Sequence, residues 1–116
     1  MELEKMITET HELSQRLHTI IGPWDGMVLV THLAAVVGRL ADDVMTIEGK
    51  LAMPLEQVRF ARTLADALLQ LIRISTKYHI DLERAWTELL EEARLSLSNE
   101  EFVAQMSRII RQNQKL

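Results

Sequence analysis

Cysteine is absent from this sequence of 116 residues, and the residues that interrupt helices are scarce, with four glycines and two prolines. The lack of cysteine excludes disulfides, thiol catalysis and zinc–thiolate sites. Aromatic side chains are only 4% of the chain, whereas hydrophobic residues as a whole reach 47%. This aliphatic composition favours an all-α protein, and the length predicts a single domain over residues 1–116.

Basic runs and basic–aromatic patches are also missing, and the formal net charge is −4. Binding to a phosphate backbone depends on lysine and arginine, so we expect no nucleic-acid partner. The apolar run MVLVTHLAAVVGRL includes His32 and Arg39 and is too short to span a bilayer. The acidic, amphipathic beginning of the chain does not resemble a signal peptide. We therefore expect a cytoplasmic protein with no membrane partner.

Apolar residues recur three or four positions apart along most of the chain, which predicts amphipathic helices. Asp25, Asp81 and Ser98 are the predicted N-terminal caps of the second, fourth and last helices. The pattern gives four main helices and a C-terminal helix, predicted at Leu3–Ile21, Gly26–Gly49, Pro54–Tyr78, Leu82–Leu95 and from Ser98 onward.

The helix predicted over Pro54–Tyr78 is apolar on two faces, which is typical of a central helix packed by neighbours on both sides. Asp66 lies in its middle, between Ala65 and Ala67. Burying a carboxylate without a partner is costly, so the sequence predicts that Asp66 is paired.

Three segments carry a resemblance to a known family: HLAAVVGRLAD at 32–42, TLADALLQL at 63–71 and YHIDLERA at 78–85. They resemble, in order, the patterns H-L-x-E-E-V-G-E-L-A-E, E-L-A-D-V-L-L-Y-L and Y-G-I-D-L-E-E-A of the MazG-like nucleoside triphosphate pyrophosphohydrolases. The resemblance implies an all-α MazG-like helical bundle that assembles as a homo-oligomer, a dimer or a tetramer. It also implies descent from enzymes that cleave a nucleoside triphosphate to the monophosphate and pyrophosphate.

The family's chemistry uses E-x-x-E on one helix and E-x-x-D on the next, so that four carboxylates hold magnesium against the phosphates. The positions that correspond to these ligands are Val36, Arg39, Thr63 and Asp66. Only Asp66 keeps a carboxylate, which implies that catalysis is lost and that no metal cofactor is bound. Asp42 and Asp43, with Asp66, are the weak candidates for a surviving magnesium site.

We predict that Arg39 takes the place of the metal and pairs with Asp66, since a guanidinium can hold a carboxylate through two hydrogen bonds. Such a pair, if buried, would cost on the order of 3–5 kcal/mol to break. The alternative is that Arg39 points into solvent and Asp66 bonds to another helix. If the backbone keeps the family geometry, glutamates introduced together at Val36, Arg39 and Thr63 should recreate a magnesium site.

Trp24 and Arg39 are the candidate contacts for a nucleotide, although a tryptophan at this position more often packs under a helix start. The central helix has basic residues along one flank, which can either attract phosphate or remain solvated. They are Arg59, Arg62, Arg73 and Lys77. The histidine spacings do not favour a metal site.

Three functions remain open from the sequence. The first is a catalytically defective family member that binds nucleotides or other proteins. The second is a divergent, active magnesium-dependent pyrophosphohydrolase. The third is a purely structural helical adaptor. Magnesium binding separates the second from the first, and nucleotide binding separates the first from the third.

Overall fold

The computed structural model describes residues 2–116, and over this range the chain is all-α, as predicted, with no strand. It has five α-helices, which are α1 Leu3–Ile21, α2 Gly26–Ile47, α3 Phe60–Lys77, α4 Leu82–Ser98 and α5 Glu100–Gln114. Within residues 2–116, no single helix has the length and apolar character needed to cross a membrane; α1 and α2 pass that test only as a pair bent by 112°.

The chain divides into two compact units, one ending at Ile80 and the other spanning Asp81–Leu116. In the first unit α3 packs against both α1 and α2, which confirms the prediction of a central helix with neighbours on two sides. In the second unit α4 packs against α5. The single domain that the sequence predicts over residues 1–116 stays a prediction.

Side-chain caps explain where three of the helices begin. The Asp25 carboxylate accepts a hydrogen bond from the Val28 amide at the start of α2, and Asp81 accepts one from the Arg84 amide at the start of α4. Both caps were predicted. The prediction that Ser98 opens the last helix is wrong, because Asn99 caps α5.

The central helix is shorter than predicted at its N-terminal end. Pro54 has extended backbone angles and precedes a short 3₁₀ turn, Leu55–Gln57. Val58 is extended as well, and α3 begins only at Phe60. Proline lacks the amide hydrogen and tolerates a helix start, but local 3₁₀ bonds from Gln57 to Pro54 and from Val58 to Leu55 close the turn here instead. A connector without α-helix, residues 48–59, therefore joins α2 to α3.

Two helices end in the same hydrogen-bond pattern, the Schellman motif, with different residues at its left-handed position. At the end of α2, Gly49 has φ +74° and Lys50 donates to the Met45 carbonyl at 2.7 Å. At the end of α3, His79 has φ +55° and Ile80 donates to the Ser75 carbonyl at 2.8 Å. Left-handed backbone suits glycine and strains a residue with a Cβ, so His79 is an unfavourable choice at this position.

We expect His79→Gly to stabilise the first unit by about 0.5–1 kcal/mol, because removal of the left-handed strain outweighs the extra entropy of glycine in the unfolded chain. Urea unfolding followed by circular dichroism measures the change. Gly49→Ala is the matched control and should destabilise by about 1 kcal/mol, since a Cβ there meets no neighbour and only the backbone strain changes. A destabilised His79→Gly variant would show that the imidazole contributes more than the strain costs.

The first unit has a small apolar core. Its fully buried apolar side chains are Leu29, Val36 and Ile72. The opposite side of α2 carries a second apolar row at alternating spacings of three and four, which we call the outer seam: Met27, Val30, Ala34, Val37, Ala41 and Val44. All six of these residues are exposed. Helix α2 thus packs against α3 with one face and leaves another apolar face without a partner among residues 2–116.

Candidate functional site

Two of the segments that carry the family resemblance meet at a cavity of about 390 Å³. Residues from α2, from the connector and from the first two turns of α3 form it. We call it the motif pocket; its lining residues are Arg39, Asp42, Asp43, Met53, Gln57, Arg59, Arg62, Thr63 and Asp66. Three of these are arginines and three are aspartates, so the pocket has balanced formal charge.

The predicted pair between Arg39 and Asp66 is present. Arg39 Nη2 donates to Asp66 Oδ2 at 3.2 Å, and Gln70 Nε2 donates to Asp66 Oδ1 at 2.9 Å. Both oxygens of the carboxylate therefore have a protein donor. Arg39 and Asp66, which the family pattern places opposite each other, thus form a tertiary contact between α2 and α3.

The pair differs from the prediction in strength. It has one hydrogen bond instead of two, and the side chains of Arg39 and Asp66 are 56% and 33% exposed. Water screens an ion pair of this kind, so its contribution to stability is about 0–1 kcal/mol and not the several kcal/mol of a buried pair. Arg39 also keeps guanidinium N–H groups that Asp66 does not use.

A second contact between α2 and α3, which the sequence reasoning missed, joins Thr63 to Asp43. Thr63 Oγ1 lies 3.0 Å from Asp43 Oδ2 and 3.0 Å from the carbonyl oxygen of Arg59, so its single proton is shared between two acceptors. Asp43 is buried. The sequence did contain a signal for this contact, because Asp43 is a charged residue among the apolar side chains on the inner face of α2.

The remaining motif position does not belong to the pocket. Val36 has no exposed surface and lies in the core, whereas Arg39, Thr63 and Asp66 all line the cavity. The structure thus brings together three of the four motif-equivalent residues. The expectation that a glutamate at position 36 would lie beside the other three does not fit this structure, because Val36 is buried and lies outside the lining of the cavity.

The residues of the motif pocket do not fit a magnesium ion. Asp42, Asp43 and Asp66 all line it, but Asp66 is engaged by Arg39 and Gln70, and Asp43 is engaged by Thr63. Three guanidinium groups share the cavity and repel a cation. Within residues 2–116, no group of three or more histidine or acidic side chains is arranged to hold a metal.

A second cavity, of about 230 Å³, lies between α1 and the C-terminal half of α3. We call it the Trp24 pocket; its lining residues are His11, Ser14, Gln15, His18, Trp24, Leu29, Arg73, Thr76, Lys77 and His79. The sequence grouped Trp24 with Arg39 as nucleotide contacts, but the structure places them in separate pockets. The basic flank of α3 divides in the same way, with Arg59 and Arg62 in the motif pocket.

Trp24 is held from two sides. Its ring meets the His32 ring edge-on, with 5.4 Å between centroids, and the Arg73 guanidinium lies 4.6 Å from its centroid in a cation–π contact. Trp24 is half-buried just before α2 begins. Its contacts agree with the interpretation that it packs at a helix start. Burial lowers the pKa of the Arg73 guanidinium from its usual value, although arginine stays charged at neutral pH.

Comparison with known proteins gives no assignment: no family model, no curated protein and no solved structure matches the chain at a significant level. The three quoted segments therefore remain the only basis for the MazG-like hypothesis.

Proposed function

We propose that the chain is a MazG-like domain that has lost pyrophosphohydrolase activity, binds the phosphates of a nucleotide without a metal, and associates with copies of itself. The Arg39–Asp66 pair is the observation that supports the loss of catalysis. A cation from the protein stands where the family pattern implies a metal ligand, and the remaining carboxylate has donors at both oxygens.

Arginine side chains support the binding of phosphate in the motif pocket. Arg59 and Arg62 line the cavity, and neither forms an ion pair within residues 2–116. A guanidinium presents paired N–H donors that match two phosphate oxygens. Arg39 is half exposed and adds donors from the opposite wall. Asp42 is the one pocket carboxylate to which the structure of residues 2–116 gives no side-chain partner, and a single carboxylate among three guanidinium groups is a poor site for a metal. These residues therefore support binding of phosphate better than cleavage of a phosphoanhydride bond.

The outer seam of α2 supports self-association. Spacings of three and four repeated over Met27–Val44 match the 3.5-residue period with which two helices interlock side chain between side chains. Valine and alanine predominate in the seam, and Val37 at its centre is 52% exposed. A chain that buries so few apolar residues in its own core gains most by covering this row with the same row of a second copy.

Isothermal titration calorimetry with a nonhydrolysable nucleoside triphosphate tests the function. We expect binding of similar affinity in excess chelator and in excess magnesium, and no heat for magnesium alone. Arg62→Gln should weaken nucleotide binding about tenfold, the equivalent of one charge-assisted hydrogen bond. Arg16→Gln, at an exposed position of α1 that lines no phosphate-binding pocket proposed for this chain, is the matched control and should leave the affinity unchanged.

Two outcomes of that titration contradict the proposal in different ways. Binding that requires magnesium, accompanied by release of pyrophosphate from a natural nucleotide, would establish the active enzyme. If no nucleotide binds under either condition, the remaining function is that of a structural helical adaptor. The observation that supports an adaptor is the exposed apolar row of the outer seam.

A further inference from the structure

The Trp24 pocket is basic in a chain that is acidic overall. Arg73 and Lys77 line it together with three histidines, and none of its ten lining residues is an aspartate or a glutamate. The chain as a whole has 17 acidic residues and 13 lysines and arginines. The motif pocket, by contrast, has an aspartate for each arginine. The lining of the Trp24 pocket therefore has cationic side chains and no acidic one.

Arg73 is the least balanced of these cations. The residue is only 7% exposed, and it forms no ion pair within residues 2–116. The hydrogen bond of its guanidinium runs from Nη1 to Gln70 Oε1 and is long, at 3.4 Å. A buried cation without a carboxylate is costly, and the Trp24 ring offsets only part of that cost.

The guanidinium of Arg73 has donors that no group in residues 2–116 uses. Within residues 2–116, no fully buried side-chain nitrogen or oxygen lacks a hydrogen-bond partner. Nε and Nη2 have no such partner in the chain, so each must keep some surface open to solvent. Arg73 also lines the Trp24 pocket, which makes that cavity the place where its free donors can meet a ligand.

Lys77 adds a second cation to the same side of the pocket. It follows Arg73 by four residues on α3, which places both side chains on one face of the helix. The C-terminal end of α3 bears a partial negative charge of about half an elementary charge. Two full positive charges outweigh that dipole, so the field in the cavity attracts an anion.

We propose that the Trp24 pocket binds a small phosphate-type oxyanion, either inorganic phosphate or a small phosphate monoester. Arg73 is the buried bidentate donor, Lys77 is the charge at the rim, and Trp24 positions the guanidinium. A planar fork beside an ammonium suits tetrahedral oxyanions. At about 230 Å³ the cavity falls below the roughly 300–1,000 Å³ of pockets that enclose drug-sized ligands, so the ligand is smaller than a nucleotide.

Fluorescence of Trp24 gives a direct test. Trp86→Phe removes the other tryptophan, which lies in the second unit, so the remaining emission reports on the pocket. The probes are inorganic phosphate and glycerol phosphate, titrated at constant ionic strength against chloride. We expect saturable binding of a phosphate probe with a Kd on the order of 1 mM or tighter. The tighter of the two probes identifies the source of the anion.

Variants assign the binding to this pocket. Lys77→Gln changes an exposed side chain and should weaken phosphate binding at least about fivefold, and Arg73→Met should abolish it while circular dichroism shows that the helices remain. If Arg73→Met fails to fold, Lys77→Gln alone decides the question. Arg16→Gln is the control, because Arg16 is an exposed residue of α1 that lines neither pocket, and it should change the affinity by less than about twofold.

A phosphate response no larger than that of chloride would overturn the proposal. So would equal weakening by Lys77→Gln and Arg16→Gln, because that result means general attraction to positive charge. The proposal is independent of nucleotide binding, since the residues that test the two pockets are different.

Discussion

Replacing Val36 with glutamate is expected to unfold the first unit or to destabilise it by on the order of 3–5 kcal/mol. Val36 has no exposed surface, and one of the few buried apolar side chains would become a carboxylate with no partner. The measurement is the midpoint of urea unfolding at neutral pH. Because a buried glutamate has a raised pKa in the folded state, the charge contributes to the loss mainly above about pH 4, and acidification should recover part of the stability.

Val36→Ala separates the effect of charge from that of lost packing. It should cost about 1–3 kcal/mol, and the cost should not depend on pH. A Val36→Glu variant as stable as the wild type at neutral pH would show that position 36 can face water, as the proposed likeness to the MazG-like pattern requires.

The same feature changes how a magnesium site should be restored. A triple variant with glutamates at Val36, Arg39 and Thr63 would put one of its new carboxylates into the core. The double variant Arg39→Glu with Thr63→Glu keeps the substitutions in the motif pocket, beside Asp43 and Asp66. That variant is the appropriate one in which to look for a regained metal site.

Under the proposed self-association through the outer seam, Val37→Glu is expected to convert the protein into a monomer. The side chain lies at the centre of the outer seam, so pairing would bring a carboxylate from each copy into an apolar contact. We expect the dissociation constant to rise at least about 100-fold, which corresponds to roughly 2.7 kcal/mol. Sedimentation equilibrium over a range of protein concentrations measures it, and circular dichroism should show an unchanged helix content.

Thr31→Glu is the matched control, since Thr31 is an exposed residue of α2 that lies outside the seam. It introduces the same charge one position from Val30 and should leave the mass in solution unchanged. A wild-type protein that stays monomeric at about 100 μM, or a Val37→Glu variant with the wild-type mass, would remove the outer seam as an interface.

Helix positions followed from the sequence wherever a single residue fixes the backbone. Asp25 and Asp81 have side chains that accept from the third amide beyond them, and these starts were predicted correctly. The start of α3 was placed too early, because Pro54 is compatible both with a helix and with the 3₁₀ turn that follows it. Ser98 and Asn99 are both good N-terminal caps, and only the local hydrogen bonding determines which of them begins the last helix.

The candidate site was predictable only in part. Arg39 and Asp66 could be paired because a motif comparison places two positions opposite each other, which supplies tertiary information that periodicity lacks. Val36 was assigned to the same face as Arg39, but α2 has two apolar rows, and spacing alone does not say which row faces the core. The Trp24 pocket joins residues more than sixty positions apart, such as His11 and Arg73, and no local pattern announces it.

The connector between α2 and α3 forms one wall of the motif pocket, and this wall is not α-helical, whereas the other walls are. Met53, Gln57 and Arg59 come from this segment, and its backbone hydrogen bonds reach no residue more than five positions away. Local bonds of this sort can open without disturbing the helices, so we expect the free energy of opening here to be lower than that of global unfolding. A ligand in the pocket would have to order this wall, and protection of its amides from hydrogen exchange would then register occupancy while the helices stayed unchanged.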